Sequence, residues 1–214
     1  MVVDKKKIED EIKLYENLIR TNSNNPNLWY LLGCARYEIG DITIAIEAFE
    51  RSIEIDPKNA SAWYYIALAR EDLGSLKDAI DAYENVLKID PTHYYAWYNL
   101  GNILMNTGDI VAAEEAYEKA AKINKNDASV WHNLGYSRHI QGKMREAMEA
   151  YLETVKTDPN HSKSWNNLGI VYVSLEQAEK AMFCFIKSAN LGNSDAKRTL
   201  SQLKEKNIRP LDPR

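Results

Sequence analysis

The chain has 214 residues, 27 Lys+Arg against 31 Asp+Glu for a net charge of −4, and 45% hydrophobic and 10% aromatic residues, the composition of a folded soluble protein. A pI near 5.7 supplies no overall basic field for phosphates, which argues against nucleic acid and polybasic membrane attachment as partners. No run of 18 apolar residues occurs, no apolar segment follows Lys5-Lys6-Lys7, and Cys34 and Cys184 form no paired framework, so a cytoplasmic protein with free thiols is expected.

Self-similarity is the dominant signal. Trp29, Trp63, Trp97, Trp131 and Trp165 follow one another at intervals of 34 residues without insertion. In chain order, residues 1–25 read as a half unit, because Ile8, Ile12, Tyr15 and Ile19 stand 34 residues before Ile42, Ile46, Phe49 and Ile53. This predicts a capping helix over residues 5–20 that corresponds to the second helix of a unit. Five full units then cover 26–59, 60–93, 94–127, 128–161 and 162–195. In each, the Trp is followed by a small residue (Gly33, Ala67, Gly101, Gly135, Gly169), an alanine (Ala45, Ala79, Ala113, Ala147, Ala181) and a ring (Phe49, Tyr83, Tyr117, Tyr151, Phe185). Gly40, Gly74, Gly108 and Gly142 mark the end of a first helix, and Asp41, Ser75 and Asp109 the N-cap of a second. Asp56-Pro57, Asp90-Pro91 and Asp158-Pro159 end the second helix, and Asn25, Asn59 and Asp127 cap the next first helix. Unit five has Glu176 in place of the interhelix Gly. A last helix over 194–206, with Ala196, Leu200 and Leu203 on one stripe, reads as a solvating cap, and 207–214 as a frayed tail.

The W-x2-L-G pattern, the later Ala, the aromatic residue and the Pro at a period of 34 resemble the tetratricopeptide repeat (TPR) family over 170 of the 214 residues. The resemblance implies an all-α, right-handed superhelical solenoid of antiparallel helix pairs, about twelve helices in all. It also implies a concave groove, lined by the first helices, that receives an extended peptide or a partner helix.

By helical spacing, the residues one, two, five, eight and nine after each Trp share the remaining face of the first helix. The candidate groove residues are Tyr30, Tyr37, Glu38, Tyr64, Tyr65, Glu71, Asp72, Tyr98, Asn99, Asn102, Asn106, His132, Asn133, Tyr136, His139, Lys163, Asn166 and Asn167. Tyr30, Tyr64 and Tyr98 repeat in register, and two readings are open for them: a binding surface, or packing between units. Asn99, Asn133 and Asn167 form a possible ladder, since a carboxamide pairs with a peptide group whatever its side chain. It is similar to the asparagine ladder in the repeat domain of the O-linked N-acetylglucosamine transferase. Glu38, Glu71 and Asp72 make the early part acidic, which suggests a protein or peptide partner that is basic at the end facing repeats 1 and 2. His93 and His161, in corresponding loops between units, read as ordinary turn residues.

Other readings remain. A chaperone-binding adaptor with a dicarboxylate clamp would match only in part, at Asn102, Asn133 and Lys163, because Tyr98 and Asn167 stand where a Lys and an Arg belong. The chain could instead be the substrate-recruiting portion of a larger enzyme such as a glycosyltransferase, or a self-associating scaffold joined through terminal helices. No catalysis by the chain itself, no cofactor and no metal are expected. His132 and His139 lie roughly 10 Å apart along a helix, too far for one ion, and no phosphate loop or nucleophile elbow occurs.

Overall fold

The computed structural model describes residues 5–205, so Lys206 and the expected tail 207–214 lie outside the described residues. All twelve described elements are helices: α1 (Lys5–Thr21), α2 (Pro26–Glu38), α3 (Ile42–Ile55), α4 (Ala60–Asp72), α5 (Leu76–Ile89), α6 (Tyr94–Thr107), α7 (Ile110–Ile123), α8 (Ala128–Ile140), α9 (Met144–Thr157), α10 (Ser162–Ser174), α11 (Ala178–Asn190) and α12 (Ser194–Glu205). They fall into two compact units, Met1–Ala96 and Trp97–Arg214. In the N-terminal unit α2 pairs with α3 and α4 with α5, while α1 packs on α2 and α3 on α4. In the C-terminal unit α8 pairs with α9 and α10 with α11, while α7 packs on α8, α9 on α10 and α11 on α12.

The turn inside each hairpin is built by backbone geometry. After α2, Gly40 takes φ 90°, and the Asp41 N–H reaches back to the Arg36 carbonyl at 2.9 Å, closing the six-residue loop of a Schellman motif. The same bond closes the turn at Glu176, whose φ of 59° puts a side chain in the left-handed region: Gln177 N–H donates to the Tyr172 carbonyl at 2.8 Å. The departure at unit five therefore alters the residue and not the turn, and α11 starts on schedule. The N-cap expectation holds at Asp109, which accepts from Ala112 N–H at 3.1 Å, but Asp41 and Ser75 make no side-chain cap bond. Asp41 is instead drawn to the Arg36 guanidinium at 2.9 Å, a charge-assisted bond that outcompetes a neutral amide donor.

Between hairpins, Asn25, Asn59 and Asp127 do cap α2, α4 and α8 with their side chains. The tryptophans are half-buried, and four of the five indoles also pin a loop. Trp29, Trp63, Trp131 and Trp165 donate through Nε1 to the carbonyls of Ser23, Pro57, Lys125 and Pro159, each six residues earlier, at 2.8–3.1 Å. The deepest side chains are the later rings, Phe49, Tyr83, Tyr117 and Tyr151, none more than 1% exposed. They explain the small residues. A Cβ on Gly33 would sit 2.5 Å from the Phe49 ring, and one on Gly135 2.8 Å from the Tyr151 ring, so the missing side chain is what lets paired helices close.

A polar tie joins successive repeats on another face. Arg36 pairs with Glu16 at 2.6 Å, Arg70 with Glu50 at 2.9 Å, and Arg138 with Glu118, each carboxylate twenty residues upstream on the preceding second helix. In the last case the network deepens: Glu114, 8% exposed, also accepts from Arg138 Nε at 3.0 Å, Gln141 at 2.8 Å and Lys143. Burial pushes the Glu114 carboxyl up, but Lys143, Arg138 and Gln141 outweigh it and hold the group below the ordinary range.

Candidate functional site

In the N-terminal unit the candidate face is an aromatic cluster edged with acid. Tyr65 is its hub, stacked on Phe49 at 5.4 Å and 24°, with Tyr30, Tyr37 and Tyr64 around it at 5.9–6.0 Å. The Tyr64 ring also lies 4.9 Å from His93 and 5.9 Å from Tyr83. Tyr37 Oη donates to Asp72 at 2.5 Å and Tyr83 Oη to Glu71 at 3.1 Å. Burial, then the Asp72 carboxylate, pushes the Tyr37 phenol up; burial, then a hydrogen bond with Cys34, does the same to Tyr30. Burial also raises the Cys34 thiol, which lowers its thiolate fraction. Glu38 and Asp72 are exposed.

In the C-terminal unit the corresponding face is made of amides and imidazoles. Asn102 Oδ1 accepts from Tyr117 Oη at 2.9 Å and from Asn133 Nδ2 at 3.1 Å, and Asn167 Nδ2 donates to Tyr151 Oη at 3.3 Å. The ladder asparagines Asn133 and Asn167 are therefore structural in part, since they serve, directly or through Asn102, the phenols of buried core tyrosines. Some of each carboxamide's four-bond capacity remains for a ligand. Ser164 Oγ lies 2.6 Å from His132 Nδ1 and 2.9 Å from His161 Nδ1, and the two rings are 4.7 Å apart. Burial first, then His161 and Lys163, pushes His132 down to about 4, so it is neutral at pH 7. Burial also lowers His139, whose Nδ1 is buried without a hydrogen-bond partner.

Of the remaining candidates, Asn106, Tyr136 and Lys163 are exposed, Tyr98 and Asn99 are half-buried, and Asn166 is buried at 8% exposure. The in-register rings are engaged in packing: Tyr64 meets the loop residue His93, and Tyr98 lies 6.3 Å from Tyr117. Exposed apolar side chains on the same faces, Leu31 in the N-terminal unit and Tyr136, Ile140, Ile170 and Val173 in the C-terminal one, are more open to a partner than those rings. His93 and His161 are more than turn residues. They are N-caps, each accepting a backbone N–H through Nδ1, from Ala96 at 3.1 Å and Ser164 at 3.2 Å. Their place three residues before Ala96 and Ser164, where Asn59 stands before Ala62, is the signal that could have found them. Among the described residues no cluster of three or more His, Cys, Asp or Glu could hold a metal, and no helix is long and apolar enough to cross a membrane.

Stacked antiparallel hairpins with this landmark pattern define a helical-repeat interaction protein. Sequence profiles of the tetratricopeptide repeat match residues 30–94, 71–134, 128–161 and 150–183, and the chain belongs to that family. Among solved structures it is similar to YrrB, described as a TPR protein with an unusual peptide-binding site, at 20% identity and a TM-score of 0.79, covering 88% of this chain and 98% of that one. It is also similar to MamA, at 25% identity and a TM-score of 0.69, covering 78% of this chain and 97% of that one. The MamA of Desulfovibrio magneticus RS-1 follows at 22% identity and a TM-score of 0.66, covering 85% and 95%. No curated protein matches the sequence significantly.

Proposed function

We propose that this protein is a non-catalytic scaffold whose first-helix faces bind an extended peptide or a partner helix. Its family typically performs no chemistry on what it binds. The carrying observation is the face of α8 and α10, where Tyr136 (45% exposed), Ile140 (48%), Ile170 (39%) and Val173 (57%) stand in the open beside the half-buried amides of Asn133 and Asn167. Exposed apolar groups next to unsaturated amides match the core-and-hydrogen-bond anatomy of a peptide interface. In YrrB a peptide-binding site occurs on a similar fold, which supports the reading.

On the N-terminal unit, Glu38, Glu71 and Asp72 beside the tyrosine cluster favour a segment carrying Lys or Arg, held by charge and by ring faces. The partial clamp is disfavoured because Asn102 and Asn133 already bond to each other. The test is selection of binders from a random peptide library on the whole protein, followed by calorimetry with Tyr136→Ser/Ile170→Ser/Val173→Ser. These side chains are exposed, so the variant keeps its fold. A tenfold or greater loss of affinity, about 1.4 kcal/mol, is expected; unchanged affinity rejects the face. For peptides that bind the N-terminal unit, affinity should fall as salt rises from low to high ionic strength.

A further inference from the structure

The second helices share two positions that their own first helix covers. In α3, α5, α7, α9 and α11 the residues in register with Leu14, from Ala48 to Cys184, are at most 3% exposed, and those in register with Leu18, from Ser52 to Ser188, are at 0%. Ser52 and Ser188 bond across to Pro26 and Ser162 of the paired first helix. The half unit α1 packs on α2 and has no first helix of its own among the described residues. Leu14 is therefore 53% and Leu18 41% exposed, on one stripe with Lys7 and Glu11. The C-terminal unit carries an unfilled apolar cleft. Leu152 and Tyr172 stand one repeat after Glu118 and Arg138, so an apolar pair replaces the ion-pair tie. Phe183 stands where the four preceding second helices carry Glu47, Asp81, Glu115 and Glu149. Phe183 is 56% and Leu152 39% exposed, and the Trp165 ring meets Phe183 edge-on at 5.9 Å and 77°. These side chains line a cleft of about 390 Å³ on α9, α10 and α11, bordered by Glu179 and Lys180. Apolar groups placed in water where the sister repeats carry charge or bury the position mark interaction surfaces.

We propose that this cleft receives the α1 stripe of a second copy of the chain. Leu14 and Leu18 fill it against Leu152, Trp165 and Phe183, while Lys7 and Glu11 meet Glu179 and Lys180 with opposite signs. Charge favours this occupant at both scales. Lys180 lies over the Tyr172 ring at 5.5 Å and bonds to Gln177, with no carboxylate on it among the described residues, so Glu11 of the arriving copy supplies one. Residues 1–96 carry 17 Asp+Glu against 11 Lys+Arg, and residues 97–214 carry 14 against 16, so unlike units attract. The opposite end of the array is a poorer seat for two leucines, because Lys197, Arg198, Ser201 and Gln202 of α12 are exposed and polar. Since the contact joins two different surfaces, it leaves one of each free and repeats from copy to copy. It uses second helices and leaves the first-helix faces open, so it stands apart from the peptide-binding reading.

The test is analytical ultracentrifugation of the whole protein from ~1 to ~500 μM, a range suited to a small interface. Two variants each spoil one surface: Leu14→Glu/Leu18→Glu on α1, and Phe183→Glu, which restores the charge usual at that position. All three side chains are exposed, so both variants keep their fold, and unchanged thermal melting checks it. The wild-type protein should gain mass with concentration, and each variant alone should associate at least tenfold more weakly. Mixed in equal amounts, the two variants should form a dimer and nothing larger, because each retains the surface the other lacks. A wild-type protein that stays monomeric throughout overturns the proposal. So does Phe183→Glu that still dimerises, which would mean that two α1 helices pair with each other, and so does a mixture that fails to pair.

Discussion

The two units use one scaffold slot in opposite ways. In the N-terminal unit the residue facing the core ring Phe49 from the next first helix is Tyr65, stacked at 5.4 Å, while the unit's other core ring, Tyr83, donates its phenol to Glu71 at 3.1 Å. In the C-terminal unit the core rings are Tyr117 and Tyr151, and the facing residues are Asn133 and Asn167, whose amides serve the phenols. A phenol buried at 0–1% exposure must be paired, and an amide pairs it where a ring would not. At Phe49, Tyr117 and Tyr151 the facing residue, ring or amide, thus goes with the absence or presence of a hydroxyl on the core ring. The ion-pair ties differ as well: Arg70 and Glu50 keep 31% and 45% of their side-chain exposure, whereas Arg138 and Glu114 keep 14% and 10%.

The largest test of that contrast is at the ion pairs. Arg138→Met takes the guanidinium from both Glu114 and Glu118, leaving Glu114 only Gln141 and Lys143, and should cost about 3 kcal/mol, while Arg70→Met should cost less than ~1 kcal/mol; equal losses in denaturant titrations would erase the distinction. Next comes pH. His132 in the C-terminal unit stands where the N-terminal unit has Tyr64, and its folded value of about 4 lies below the ordinary 6.5. The unfolded chain then binds more protons between these values, so stability is full above pH 6.5 and falls as pH drops toward 4, by roughly 2–3 kcal/mol. His132→Tyr should flatten this window in pH-dependent melting and leave the later loss from Glu114, whose depressed carboxyl gives up its stabilisation only in stronger acid. The smallest expected effect tests the slot itself. Phe49→Tyr buries a phenol opposite a ring and should cost about 1–2 kcal/mol, and adding Tyr65→Asn should recover part of it. If the single change is neutral, the hydroxyl does not dictate the facing residue.

Helix number, hairpin pairing and the small-against-large packing were legible because each rests on local spacing. The 34-residue step placed the turns even where Glu176 replaces glycine, since the Schellman bonds are made by the backbone. The candidate face was legible only as a set of positions. Nothing local distinguishes an asparagine offered to a ligand from one serving Tyr151 sixteen residues upstream, or a tyrosine open to a partner from Tyr64 packed on His93. The Arg36–Glu16 and Arg138–Glu118 ties were hidden for the same reason, though a twenty-residue offset carried them.

The repeat pattern by itself determined the hairpins and which helix face turns inward, because hydrophobic spacing and cap chemistry act within a few residues along the chain. Which side chains on that face are already bonded, and that His139 Nδ1 is buried without a hydrogen-bond partner, was decided only when neighbouring repeats came together. Burial and hydrogen-bond saturation belong to that packing, and no single segment contains them.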